Sequence, residues 1–93
     1  MSRGGEQPAT IDFTAFILSL SQAALQQLGQ AEPGPDQTEP AVNLALAQQT
    51  IDILAMLHTK TAGNRSEQED KLLGNILYDL RMRYVEASRG AGQ

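Results

Sequence analysis

Hydrophobic residues recur every three to four positions in three stretches of the chain, the spacing of amphipathic helices. The pattern predicts a first helix over residues 12–28, a second over residues 40–61 and a third over residues 66–88. We find no stretch that alternates between apolar and polar residues as a half-buried strand does. The sequence therefore predicts an all-α fold.

Capping residues and helix breakers support these boundaries. Asp12 or Thr10 suits the N-terminal cap of the first helix, and Gly29 suits the left-handed position after its last turn. Pro40 fits the first turn of the second helix, because the N–H that proline lacks has no helical partner there. Gly63 marks the end of this helix. The segment "SEQE", residues 66–69, is a capping box that predicts the start of the third helix.

Segments rich in proline, glycine and polar residues lie outside the helices. We expect residues 1–10 to be a disordered lead, residues 30–40 to be an extended proline-rich linker and residues 89–93 to be a flexible tail. We expect residues 11–88 to form one helical domain. Because the connection over residues 61–65 is short, the second and third helices should form an antiparallel hairpin. The longer linker lets the first helix pack on its own hairpin or on that of a neighbouring chain.

The first two helices carry more apolar surface than a small bundle can bury. Their apolar arcs cover roughly 200° and 220°, whereas roughly 100–140° suffices for a helix that packs on one side. Large exposed apolar patches are typical of interaction surfaces, and two-fold dimers are the commonest oligomers. The sequence therefore predicts a homo-oligomeric helical bundle, with a dimer as the first expectation. A different protein as the obligatory partner is the alternative.

The candidate interface residues lie on the apolar stripes of the three helices. They are Phe13, Phe16, Ile17, Leu20, Leu44, Ile51, Leu54, His58, Tyr78 and Met82. Tyr78 and Met82 belong to a second, weaker stripe of the third helix, together with Gly74 and Val85. Tyr and Met are favoured interface residues. This stripe is expected either to cover the edge of the oligomer core or to form an exposed docking patch.

His58 is the only histidine of the chain and follows the apolar rhythm of the second helix. A general base needs a nucleophile or an orienting acid nearby, and the residues one turn away, Leu54 and Thr61, include no acid. We therefore expect a packing or interface histidine, and a pH-dependent role stays open. One histidine and no cysteine exclude a His/Cys metal cluster within one chain. The sequence predicts no catalytic, cofactor-binding or metal-binding residue, and so no enzyme.

The net charge of the chain disfavours some kinds of ligand. Seven basic residues against eleven acidic ones give a net charge of −4, which disfavours nucleic acid and anionic membranes as ligands. The uncharged residues 13–31 contain Ser and Gln, which argue against a membrane span. A signal peptide is disfavoured because the apolar run over residues 15–20 is too short and because Glu6 and Asp12 interrupt a basic leader. Asn64 and Arg65, before the third helix, are a candidate anion site, but the acids that follow repel an anion. The absence of cysteine suits a reducing compartment, and we expect a cytoplasmic protein.

Three blocks of the sequence resemble a known family. "IDFTAFILSLSQAALQQLG", "NLALAQQTIDILAMLHTKTAGN" and "EQEDKLLGNILYDLRMRYVE" are similar to the blocks of short bacterial proteins grouped as domain of unknown function 1844. The resemblance covers residues 11–29 and 43–86. It implies a small helical bacterial protein without an assigned activity, and it supplies no site residues.

Two hypotheses for the function follow. The first is a non-catalytic helical oligomerisation or adaptor module that binds another protein. The alternative is a small regulatory protein that binds nucleic acid or a small ligand through its oligomer.

Overall fold

The computed structural model describes residues 12–30 and 42–91. These residues form three helices and no strand: α1 (Phe13–Gln27), α2 (Leu44–Lys60) and α3 (Glu67–Ala91). Each helix packs against the other two, which confirms the predicted all-α fold. The predicted disordered lead, the body of the proline-rich linker and the last two residues of the predicted tail lie outside the described residues.

The ends of α1 follow the predicted signals. The Asp12 carboxylate accepts a hydrogen bond from the backbone N–H of Ala15 at 2.8 Å, which satisfies one of the free donors at the helix start. After the helix, Gly29 has φ +75°, the left-handed conformation that glycine adopts without strain. Both residues act as the sequence pattern indicated.

The start of α2 differs from the prediction. The helix begins at Leu44 rather than at residue 40, and Asn43 before it has an extended backbone and caps it. The Asn43 side chain accepts from the N–H of Leu46 at 3.0 Å, while its own N–H donates to the carbonyl of Gln27 at 2.6 Å. Asn43 therefore ties the start of α2 to the end of α1. Pro40 lies outside the described residues.

The capping box of α3 is confirmed. The Ser66 N–H donates to the Glu69 carboxylate at 2.8 Å, and the Glu69 N–H donates to the Ser66 hydroxyl at 3.1 Å. The far end of α3 was predicted wrongly, because the helix continues to Ala91 instead of ending at residue 88. Gly90 costs a helix only about 1 kcal/mol relative to alanine, which is too little to end it by itself.

One hydrophobic core lies between the three helices. Its buried apolar residues are Ile17, Ala24, Leu28, Ala47, Ile51, Leu54, Leu73, Leu77 and Leu80. Thr50 is a buried polar residue beside them, and its hydroxyl donates to the Gln27 side-chain carbonyl at 2.7 Å. This bond gives a buried polar group a partner on another helix, and it joins α2 to α1. The Arg83 guanidinium donates to the Gln30 side chain at 2.6 Å and links α3 to the same end of α1.

Arg65 closes the hairpin of α2 and α3. Its side chain is only 9% exposed. One guanidinium nitrogen donates to the backbone carbonyl of His58 at 2.6 Å and to the hydroxyl of Thr61 at 2.9 Å. The other side pairs with the Asp70 carboxylate at 2.7 Å. A cation here satisfies a carbonyl at the end of α2 and suits the helix dipole. The guanidinium is thus engaged within the chain, which argues against the anion site considered at Asn64 and Arg65.

Leu54→Ala tests the core. Because Leu54 is fully buried, its truncation should lower the free energy of unfolding by about 2–5 kcal/mol. Urea unfolding followed by circular dichroism measures the change. The matched control is Met56→Ala, because Met56 lies on the same helix and is 50% exposed; its effect should stay within about 0.5 kcal/mol. Equal losses in the two variants would contradict the burial of this side of α2.

Arg65→Ala tests the closure of the hairpin. The variant leaves the His58 carbonyl and the Thr61 hydroxyl without their donor, so the free energy of unfolding should fall by about 1–3 kcal/mol. Arg81→Ala is the matched control, since Arg81 is exposed and forms no ion pair among the residues described, so its truncation should change the free energy of unfolding by no more than about 0.5 kcal/mol. A loss no larger for Arg65→Ala than for Arg81→Ala would show that Arg65 does not hold the hairpin together.

Candidate interaction surface

Large apolar side chains remain exposed on the packed chain. Those of the described residues are Phe16, Leu18, Val42, Leu46, Ile53, Met56, Tyr78, Met82 and Val85. They come from all three helices and from the residues just before α2. Single exposed apolar residues are common on proteins, but contiguous groups mark interaction surfaces. The positions of these side chains relative to one another therefore matter more than their number.

A groove between α2 and α3 collects three of these side chains. It encloses about 470 Å³ and is lined by Ala55, His58, Thr59, Gly74, Leu77, Tyr78, Arg81, Met82 and Val85. Tyr78 is 70% exposed and Met82 is 49% exposed. Both residues lie on the outward stripe of α3, as the sequence indicated. We call Gly74, Tyr78, Met82 and Val85 the α3 outer stripe.

Gly74 is the unexpected member of this stripe. It lies within α3, where glycine costs about 1 kcal/mol relative to alanine. A Cβ atom added at Gly74 would meet no atom within 4 Å, and the backbone has no positive φ that requires glycine. Neither space nor conformation within one chain explains this glycine. Its effect is to leave the helix backbone accessible at one point of the groove, where another chain can approach closely.

A second apolar row runs along α2, on the side away from α3. Leu46 and Ile53 lie two helical turns apart and therefore on one line of the helix, and Val42, which is also exposed, directly precedes the cap residue of α2. Leu46 is 44% exposed, close to the value for Met82. We call Val42, Leu46 and Ile53 the α2 outer stripe. It contains the residues that widen the apolar arc of α2 beyond what the core can cover.

The polar groups of the groove are few. The imidazole of His58 is half-buried and makes no hydrogen bond with any described residue. Arg81 contributes a guanidinium, and the lining includes no carboxylate. Within residues 12–30 and 42–91, no three His, Asp or Glu side chains converge as a metal site requires. The arrangement is chemically suited to packing apolar side chains against Tyr78 and Met82.

The sequence matches the model of a known protein family. This family is the domain of unknown function 1844 (DUF1844), and the match covers residues 10–86, most of the chain. The chain belongs to the DUF1844 family. No curated protein and no solved structure matches it. The helices of this DUF1844 chain, as far as they are described, are too short or too polar to cross a membrane.

The DUF1844 chain places the predicted interface residues in three environments. Ile17, Ile51 and Leu54 are buried in the core of the single chain. The half-buried residues are Phe13, Leu20, Leu44 and His58, and the exposed ones are Phe16, Tyr78 and Met82. The three core residues can reach a second chain only in an assembly that exchanges helices. The sequence pattern did not distinguish these environments, because helical periodicity locates a stripe but not its depth.

Gly74→Ala tests whether the single DUF1844 chain leaves this position empty. The added methyl group meets no neighbour and favours the helix, so the free energy of unfolding should rise by about 0.5–1 kcal/mol. Thermal unfolding in dilute solution, where chains are separate, measures the change. Gly90→Ala is the control, and its gain should be smaller because the last turn of a helix frays. A destabilised Gly74→Ala variant would show that a side chain of the same chain occupies this position.

Proposed function

We propose that this DUF1844 chain is a non-catalytic helical oligomerisation module that forms a homodimer and presents its remaining apolar surface to another protein. The observation that carries the proposal is the exposure of two separate apolar rows, the α2 outer stripe and the α3 outer stripe, on two different helices. Burying one row leaves the other uncovered. The two rows therefore match the two parts of the proposal, self-association and the binding of a partner protein.

The composition of the α3 outer stripe supports a protein as the ligand. Tyr and Met are enriched at protein interfaces, and exposed aromatic side chains often contribute most of the binding energy. Tyr78 is the most exposed of the large apolar residues described. Burial of apolar surface contributes roughly 25 cal/mol for each Å² removed from water. A second protein surface is therefore the energetically favourable cover for this stripe.

Composition supports the remaining parts of the proposal. The excess of acidic residues, with a net charge of −4, opposes attraction to nucleic acid. The lack of cysteine suits the reducing bacterial cytoplasm, where we place the protein. The lining of the α2–α3 groove has one imidazole and no carboxylate. This lining is consistent with a module that acts by binding rather than by catalysis.

A regulator that binds a small ligand is the second candidate. One observation favours it: the groove volume of about 470 Å³ lies within the roughly 300–1,000 Å³ of small-molecule sites. Such sites usually enclose most of their ligand. Tyr78, in contrast, is 70% exposed at the edge of the groove, which suits the long, open contact of a helix better than an enclosed molecule.

Sedimentation equilibrium tests the first part of the proposal. We expect the wild-type chain, of 10.0 kDa, to sediment as a species of twice that mass as the concentration rises. A variant with Leu46→Glu and Met82→Glu places a charge on each outer stripe and should remain a single chain. The matched control carries Gln22→Glu and Gln26→Glu, which add the same charge at exposed polar positions of α1 outside both outer stripes, and should dimerise like the wild type.

Two results would contradict the proposal. A wild-type chain that keeps the mass of one chain at every concentration would remove the homodimer. For the adaptor part, a protein captured from the native host should bind the wild type and the control variant but not the variant with both stripes charged. Equal capture by all three would show that the apolar stripes do not bind the partner.

A further inference from the structure

We propose that α3 pairs with α3 of a second copy, antiparallel, with the two-fold axis beside Tyr78. The inference rests on the proposed homodimer and assigns its interface to the α3 outer stripe. The occupant of the α2–α3 groove is then the same helix of the other copy. In such a two-fold pair each copy offers the same surface, so one self-complementary stripe builds the whole contact.

Charge fixes the direction of the pair. Lys71 and Glu86 flank the α3 outer stripe, are exposed, and form no ion pair among the residues described. In an antiparallel pair, Lys71 of each copy lies opposite Glu86 of the other copy. In a parallel pair with the helices in register, each of these charges lies opposite its like, which is unfavourable. Antiparallel pairing therefore satisfies two charged residues that the single chain leaves unpaired.

The same charges fix the register. Tyr78 and Asp79 lie midway between Lys71 and Glu86 in the sequence, so the pairing of these charges places the two-fold axis beside Tyr78. The most exposed large apolar side chain of the described residues is then at the centre of the contact. Two aromatic rings that meet there gain stabilisation beyond the area that they bury. The pairing of the charges and the pairing of the apolar side chains thus place the two-fold axis at the same residue, Tyr78.

Gly74 is explained by this register. The residue lies one helical turn before Tyr78, so antiparallel pairing places it opposite the Met82 and Val85 end of the other copy. The open space above Gly74 then receives these longer side chains. The absence of a Cβ lets the two helices approach each other closely. Gly74, which neither space nor conformation explains in the single chain, thus has a role in the pair of helices.

Cysteine cross-linking tests the register, because the chain contains no cysteine of its own. Tyr78→Cys places a thiol beside the proposed axis, where two copies approach within disulfide distance. We expect mild oxidation to convert Tyr78→Cys into a covalent dimer. Gln49→Cys, on the exposed side of α2 near the α2 outer stripe, should stay uncoupled. Circular dichroism of both reduced variants verifies that they fold.

Charge reversal tests the direction of pairing. Lys71→Glu and Glu86→Lys should each weaken dimerisation by about tenfold or more, because like charges then face each other. The double variant restores the opposite charges and should recover most of the wild-type affinity. Sedimentation equilibrium measures all three. Recovery in the double variant is the result that a mere change of net charge does not produce.

The outcomes separate this inference from the proposed function. A dimer that cross-links through Gln49→Cys and not through Tyr78→Cys would overturn the α3 register and keep the homodimer. A dimer in which charge reversal has no effect would overturn the antiparallel direction. A wild-type chain that stays single at every concentration would overturn both this inference and the homodimer.

Discussion

The structure depends on how much apolar surface three short helices can hide from water. A helix in a three-helix bundle turns one stripe toward the shared core, and here that core consists of nine apolar residues and Thr50. The apolar arcs of α1 and α2 are wider than this core can cover, and α3 carries a second row of its own. The residues beyond the core stay exposed because no fourth element lies over them in the described chain. Self-association is the physical consequence that we propose.

Polar contacts at the ends of the helices hold this arrangement. Asn43 and Thr50 connect α2 to Gln27 at the end of α1, and Arg65 connects the end of α2 to the start of α3. These contacts orient the hairpin so that its buried row faces α1 and its second row faces outward. The α3 outer stripe is thus presented by a helix whose N-terminal end is held by a capping box and by Arg65. A surface held in this way loses little freedom when it binds.

Much of this fold follows from local patterns in the sequence. The stripes, Asp12, Gly29 and the capping box at Ser66 act through neighbouring residues only, and the structure confirms them. Asn43 and Arg65 were missed because their main partners, Gln27 and the His58 carbonyl, become neighbours only after the helices pack or the turn closes. Periodicity also grouped Ile17 with Phe16, although the first is buried and the second exposed. The burial of a side chain depends on where the other helices lie, and the apolar stripe of a single helix does not contain that information.

Membership of DUF1844 assigns no activity to the chain, so we argue its role from the exposed stripes. Hydroxyl-radical labelling across a range of concentrations tests most directly whether a second copy covers the α3 outer stripe. We predict that labelling of Tyr78 and Met82 falls as the concentration rises, while Met56, on the far side of α2, keeps its rate. Labelling rates of Tyr78 and Met82 that do not change with concentration would contradict the account.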